Sequence, residues 1–278
     1  MVQRILSRAA FYIVLAIGLL YILFPFYWMI VNSLKPSAEL FATPLSYWPR
    51  QLTLDNYRAV LADGSFVRSI VNSLIVAGGA TILSLMLSSM AAYALARYRF
   101  AGKQVTLYTI LGMSTFPQIA VLGGLFTLAR TLGIYNTYWA LILSYMIFTL
   151  PFCVWVLTSF IKEIPDTLDE AATIDGASPA QLLWKVIIPL AGPGLVATGL
   201  LSFINAWNEF LFALTLTADN QARTVPVAVA LFSGQSEHEL PWGKITAAST
   251  VVTVPVVLLA LMFQKRIVEG LTSGAVKG

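Results

Sequence analysis

Six long apolar stretches alternate with short polar ones along this 278-residue chain. Residues 9–34, 69–96, 104–129, 131–161, 186–208 and 245–264 hold no Asp, Glu, Lys or Arg. Each reaches or exceeds the roughly 20 residues that cross a hydrocarbon core as a helix. The pattern predicts six spans, at about 10–32, 69–96, 104–129, 137–160, 191–216 and 245–264. The fifth runs on past Glu209 to Leu216. The expected fold is an all-α integral membrane protein, a single transmembrane domain over residues 1–278.

The exception is Asp166 to Pro189, which reads as an exposed helix pair between the fourth and fifth spans. Asp166 is placed as an N-cap, with Asp169 favouring the positive helix terminus. Gly176 sits where a short helix must stop and turn. Ser178 then caps a second helix, with Pro179 at its first position and Gln181 completing a capping box. The expectation is a helix over about 167–174, a sharp corner, and a helix over about 179–188. Leu168, Ala171 and Ala172 leave the first helix open to close approach by another protein, and Glu170 is the charge that would meet it. A plain polar loop between membrane helices would also carry such caps.

The spacing is more telling than the caps. Glu170-Ala171-Ala172, three residues, Gly176, nine residues, then Val186-Ile187-Ile188-Pro189 resembles the EAA signature of ABC-importer permeases. Val186 stands for the usual isoleucine and Ile188 for leucine. In that family this loop is the coupling helix that docks on a cytoplasmic ATPase subunit. The resemblance therefore marks Asp169, Glu170, Ala171, Ala172, Asp175, Gly176, Ala177 and Pro189 as ATPase-coupling residues.

Composition agrees with the spans. The chain is 58% hydrophobic and 11% charged, with mean hydropathy +0.79, which no soluble domain could bury. The net charge of +4 does not signal nucleic acid, because the basic residues do not cluster with aromatics on a soluble face. It follows topology instead. With the N-terminus inside, Arg4, Arg8, Arg97, Arg99, Lys103, Lys162, Lys185, Lys265, Arg266 and Lys277 lie inside. Lys35, Arg50, Arg58, Arg68, Arg130, Arg223 and Lys244 lie outside, four of them in or at the end of the long 35–68 loop, where the bias counts less. Both termini and the 166–189 loop are then cytoplasmic. The first apolar run is too long for a signal-peptide core and reads as an uncleaved span. Cys153, the lone cysteine, reads as packing.

The polar residues inside spans suggest a path. Ser84, Ser88, Ala92 and Ala96 form a small-residue stripe suited to helix packing. Thr115 and Gln118 flank Pro117, where a bent helix either lines a wet path or bonds a neighbour. On a continuous fifth helix, Thr198, Ser202, Asn205 and Glu209 share an arc of about 60°, flanked by Asn208 and Phe212. A stripe carrying a carboxylate must face protein or water. Its amides and carboxylate suit sugar hydroxyls, and Phe212 or Trp207 would stack on a sugar ring. An interhelical seam or a closed gate reads the same stripe differently.

Three further stretches resemble carbohydrate-importer permeases: Asn72-Ser73 with Ala91–Arg97, Ala206–Phe210, and the closing Leu271–Gly278. The chain is similar to the maltose/trehalose branch over nearly its whole length. That resemblance implies a permease subunit of an ATP-driven, binding-protein-dependent sugar importer in a bacterial or archaeal cytoplasmic membrane. It implies a second homologous permease, a pair of ABC ATPase subunits and an extracytoplasmic sugar-binding protein, with a disaccharide such as trehalose or maltose carried. In such permeases the outer loop, here 217–243, can reach the binding protein.

No enzyme motif competes. Gly102-Lys103 and Gly243-Lys244 lack a P-loop's earlier glycine, and His238, between Glu237 and Glu239, is the sole histidine. The chain is expected to hold no metal or cofactor, with ATP and Mg bound by the partner ATPases. An ion-coupled secondary transporter would need midplane carboxylates or an inverted repeat, and only an off-centre Glu209 is present.

Overall fold

Apolar runs of this length satisfy their backbone in lipid by forming helices. The computed structural model describes residues 2–232 and 241–273, and these contain helices and no strand. His238 and the tail residues 274–278 lie outside the described residues. In chain order the elements are α1 (Val2–Ser33), α2 (Ser37–Leu40), α3 (Asp55–Ala62), α4 (Gly64–Arg97), α5 (Lys103–Ser114), α6 (Gln118–Thr131), α7 (Tyr138–Glu163) and α8 (Thr167–Ile174). Next come α9 (Pro179–Leu182), a π-helical segment (Leu183–Ile187), α10 (Ile188–Leu190), α11 (Gly192–Trp207), α12 (Leu211–Leu216), α13 (Val225–Phe232) and α14 (Trp242–Ser273).

Four helices carry continuous apolar spans: Arg8–Ser33, Gly64–Arg97, Tyr138–Glu163 and Trp242–Lys265. Two bent pairs supply the other crossings. One is α5 with α6, bent by 88°, and the other is Pro179–Leu190 with α11, bent by 80°. The protein is thus an all-α membrane protein of six spans when each bent pair counts once.

The expected third span is broken, not merely kinked. Pro117 donates no N–H and disfavours helix at Phe116, so α5 stops and α6 restarts. Ser114 and Thr115 hydroxyls donate back to the carbonyls of Leu111 and Gly112 at 2.6 and 2.9 Å, which satisfies the frayed end. The expected fifth span, 191–216, is divided as well. Gly192-Pro193 turns the chain into α11, and residues 208–210 separate α11 from α12. The helix expected over 179–188 runs to Leu190 with a π-helical middle.

The described residues form two compact units. One comprises the chain up to Val67 with Val229–Val254. In it the loop after α1 is built on polar anchors. Lys35, fully buried, donates to Asn32 Oδ1 and the Ser46 carbonyl, and its ammonium lies 4.7 Å from the Trp28 ring centroid. Asn56 Nδ2 donates to the carbonyls of Ser33 and Lys35 at 3.0 and 2.9 Å. The Arg50 amide N–H beside Glu39, joined by the Ser46 hydroxyl, holds that carboxyl below its usual range. None of the α1 span's most apolar window is buried within the chain, so that face is left for lipid or another subunit.

The other unit comprises Arg68–Ala228 and the chain from Pro255 onward. Its centre is α7, packed on α5 and α11. The small-residue stripe of α4 is buried there: Ser84, Ser88 and Ala92 are all 0% exposed. Ser84 and Thr149 hydroxyls meet at 2.6 Å, and Cys153 Sγ lies 3.1 Å from Ser202 Oγ. Polar contacts of this kind bind helices where lipid offers no hydrophobic drive. Close approach is also required at Gly194 on α11, where an added Cβ would lie 2.5 Å from the Phe160 ring. Gly194→Val is expected to destabilise the unit by about 1–3 kcal/mol through overpacking. A thermal midpoint in detergent that stays at the wild-type value would show that Phe160 yields freely.

Candidate functional site

Two regions carry the expected functional residues: the corner at 166–189 and a cavity beside the broken spans. The corner forms with the expected first helix, Thr167–Ile174. It ends where Gly176 takes φ +83°, a left-handed conformation that favours glycine. The Ala177 N–H donates back to the Ala172 carbonyl at 2.9 Å and the Gly176 N–H to Thr173 at 3.0 Å, closing the helix end. Ser178 and Gln181 form a reciprocal box: Gln181 N–H donates to Ser178 Oγ at 3.3 Å, and Ser178 N–H to Gln181 Oε1 at 2.9 Å. Pro179 occupies the first turn. The corner is shaped from both sides by local chemistry.

One local expectation fails. Asp166 does not cap α8; its backbone is helical and its side chain makes no capping bond. Its carboxylate turns instead to Arg97, at the inner end of α4. Asp169 does the same, accepting from Arg97 Nε at 2.8 Å and Nη2 at 3.3 Å, with the Tyr93 hydroxyl 3.4 Å away. Arg97 Nη2 also donates to the Ile164 carbonyl at 2.9 Å. A forked guanidinium wins because it meets two carboxylates and a carbonyl at once. Sequence reasoning named Arg97 only as an inner charge closing a motif, since its partners lie about 70 residues on.

The rest of the corner faces outward. Glu170, Ala171, Asp175, Gly176 and Pro189 are exposed, while Asp169, Ala172 and Ala177 are half-buried. Ala172 packs on a core cluster that includes Ala92, Tyr93, Leu157, Ile161, Leu182 and Ile187. Ile174, absent from the sequence expectations, is 86% exposed. Its signal was there: one large aliphatic side chain beside Asp175 and Gly176 in a polar turn.

The cavity measures about 620 Å³, within the range of ligand pockets. Its lining joins the two broken spans: Ser114 and Gln118 from one, Asn205, Asn208, Glu209, Phe210 and Leu211 from the other, with Phe148 and Phe152 of α7. Non-helical backbone at membrane depth is tolerated where it lines such a space. The break at 208–210 has its own chemistry. Asn208 Nδ2 donates back to the Ile204 carbonyl at 2.8 Å. Both Glu209 oxygens accept from the next helix, Oε1 from Phe212 N–H at 2.8 Å and Oε2 from Ala213 N–H at 3.1 Å. Glu209 is 7% exposed, so it borders the cavity while its carboxylate caps α12.

The expected polar stripe is therefore split. Asn205 and Asn208 are exposed and line the cavity, as does Gln118. Thr198 and Ser202 are buried against neighbouring helices, with Ser202 on Cys153. Phe212 is fully buried behind the wall, its ring 6.3 Å from Phe148 and nearly parallel to it. Thr115 is exposed but is not part of the lining. The aromatic surfaces in the cavity are Phe148, Phe152 and Phe210. Reading 191–216 as one straight helix placed Phe212 on the wrong side, because the turn at 208 reorients α12, whereas Ser202, on α11 itself, is taken up by its contact with Cys153.

Comparison with known proteins agrees with this geometry. Residues 84–273 match the family described as binding-protein-dependent transport system inner membrane component. The trehalose/maltose transport system permease protein MalG of Thermococcus litoralis is 45% identical, over 99% of both chains. The trehalose transport system permease protein SugB of Mycobacterium tuberculosis is 44% identical over 93% of each. Among solved structures, a chain of a bacterial ABC transporter involved in importing the acidic polysaccharide alginate superposes with a TM-score of 0.80. It is 24% identical, with 94% of this chain and 96% of that one covered, which speaks to the fold. The chain belongs to the family of binding-protein-dependent transport system inner membrane components and is a membrane-embedded permease.

Proposed function

We propose that this chain is the permease subunit of an ATP-driven, binding-protein-dependent importer that carries a disaccharide such as trehalose or maltose. The observation that carries the reading is the corner at 166–189. It is a capped helix pair, clamped to a span by Arg97, and it leaves Glu170 and Ile174 exposed where a partner could dock. The sugar follows from the chain's similarity to the trehalose/maltose permease of Thermococcus litoralis and the trehalose permease of Mycobacterium tuberculosis. Partners of this kind are a second homologous permease, a pair of ATPase subunits that bind ATP and Mg, and an extracytoplasmic sugar-binding protein. The corner and both termini then lie on the cytoplasmic side.

Asp169, Glu170, Ala171, Ala172, Asp175, Gly176, Ala177 and Pro189 form or support the ATPase-coupling surface. Closure of the ATPase dimer displaces the corner and turns the spans from an inward-open to an outward-open cavity. The docked binding protein releases sugar there, and hydrolysis resets the spans. Each partner thus favours one of two states, as a population shift requires. In the cavity, Gln118, Asn205 and Asn208 offer amide donors and acceptors to hydroxyls. Phe148, Phe152 and Phe210 give the apolar faces on which a sugar ring rests. Ser202, Phe212 and Thr115 act behind or beside the wall, and Glu209 holds the turn that shapes it.

Gentle detergent capture of the chain from its native membrane, with mass spectrometry, tests the assembly. A P-loop ATPase and a second permease are expected to travel with it; recovery of the chain alone, under conditions that preserve known complexes, would defeat the importer reading. In reconstituted vesicles, Glu170→Lys is expected to lower sugar uptake about ten-fold or more with the chain still inserted. Within the chain Gly176→Val acts through the backbone, since apart from its neighbours in sequence no atom lies within 4 Å of an added Cβ, and the left-handed φ costs about 1–2 kcal/mol. Wild-type uptake and sugar-dependent ATP hydrolysis in both variants would remove the corner from coupling. Asn205→Ala and Gln118→Ala are expected to weaken uptake several-fold with assembly intact. Unchanged uptake at every sugar concentration would assign those amides to packing.

A further inference from the structure

Helix α4 is clasped at both ends to loops that lie at opposite ends of its span. At the inner end Arg97, whose side chain is 9% exposed, grips Asp166, Asp169 and the Ile164 carbonyl. At the outer end Asn72 is fully buried. Its Nδ2 donates to the carbonyls of Asn220 and Arg223 at 3.2 and 2.9 Å, and its Oδ1 accepts from the Tyr138 hydroxyl at 2.7 Å. Ser73 Oγ, one residue on, accepts from the Val225 N–H at 2.8 Å. The outer loop is also tied to the connection between α6 and α7: Asn136 Oδ1 accepts from Ala218 N–H at 2.9 Å, and Asn136 Nδ2 donates to Asp219 at 3.0 Å.

Between the two clasps runs one uninterrupted helix of about 38 Å, at about 1.5 Å per residue. Helix α7 is fastened beside it at three depths. Tyr138 joins Asn72 at the outer end, Thr149 meets Ser84 midway, and the carbonyl of Ile164, just past the inner end, accepts from Arg97. These contacts fasten the pair along its length, and α7 carries Phe148 and Phe152 on the cavity wall. The neighbouring spans differ. Both α5–α6 and α11–α12 are broken at the cavity, so a push along them is absorbed by the break.

We propose that α4, braced by α7, is the strut that carries displacement of the 166–176 corner to the outer loop at 217–225. Arg97 and Asn72 are the positioning residues at its two ends. The inference rests on the importer reading. Both side chains are largely buried and bonded to several partners, so exchanging those partners for water is unfavourable and the clasps outlast the motion. A bare structural role for the same bonds would fix each loop locally and link nothing across the span.

The test uses the whole transporter in lipid nanodiscs, with cysteine-free partner chains. An environment-sensitive fluorophore is placed at the corner (T173C) or on the outer loop (A218C), both exposed positions, while the chain's own Cys153 is fully buried. Addition of ATP, Mg and vanadate is expected to change both probes in the otherwise wild-type protein. In Arg97→Gln and in Asn72→Ala the corner probe is expected to keep its response while the outer probe loses at least about five-fold in amplitude. Arg97→Lys, which keeps charge but not the fork, stands in if the glutamine variant does not assemble, and it is expected to lose part of the outer response. An undiminished outer response in any of these variants overturns the strut. A wild-type response at the corner alone also overturns it and leaves the importer reading standing. No wild-type response at either probe defeats the importer reading, and the strut with it.

Discussion

In hydrocarbon every backbone N–H and C=O must find a partner within the protein, and this constraint governs the fold. Apolar runs obey it by forming long helices, four of them continuous. Where the chain departs from helix, polar side chains take over the bonding. Ser114 and Thr115 do so at the Pro117 break, Asn208 and Glu209 at the turn before α12. Both breaks open onto the same cavity. The irregular backbone and the polar lining thus have one origin: a helix that stops in a membrane needs water or side chains, and either makes a polar space.

The corner meets the opposite demand. Its first helix lies outside the spans and could in principle move freely, yet it is tied down on both sides. Gly176 relaxes the turn, the Ser178–Gln181 box fixes the second helix, and Arg97 ties the first to α4. A loop that yields would absorb a displacement, whereas this corner is clamped to a 34-residue helix. Its free face carries Glu170, Ala171 and the protruding Ile174.

Local chemistry made much of this legible. The span boundaries follow from charge-free runs, and the α8 helix from a leucine- and alanine-bearing segment that ends at glycine. The Ser178 box needs only residues three apart. The cavity was legible in kind, because Pro117 and the polar residues near 205–209 are costly in lipid unless they serve something. Its precise lining was not. Asn205, Asn208 and Gln118 face the space, but Ser202 packs on Cys153 of α7, and Phe212 lies beyond the break, where the angular arithmetic no longer holds. Asp166 was misassigned for a similar reason: capping is the best local use of an aspartate, and a distant guanidinium offered a better one.

The sequence by itself determined the class of molecule, the number of apolar runs and the shape of the corner. These depend on solvation of single residues and on hydrogen bonds between residues a few positions apart. Only the tertiary structure decided that two broken spans share one cavity, that Arg97 joins α4 to the corner, and that Asn72 joins the same helix to the outer loop. Those pairings link positions roughly 70 to 150 residues apart. Nothing in local propensity encodes them; they exist because close helix packing brings one buried polar group within reach of another.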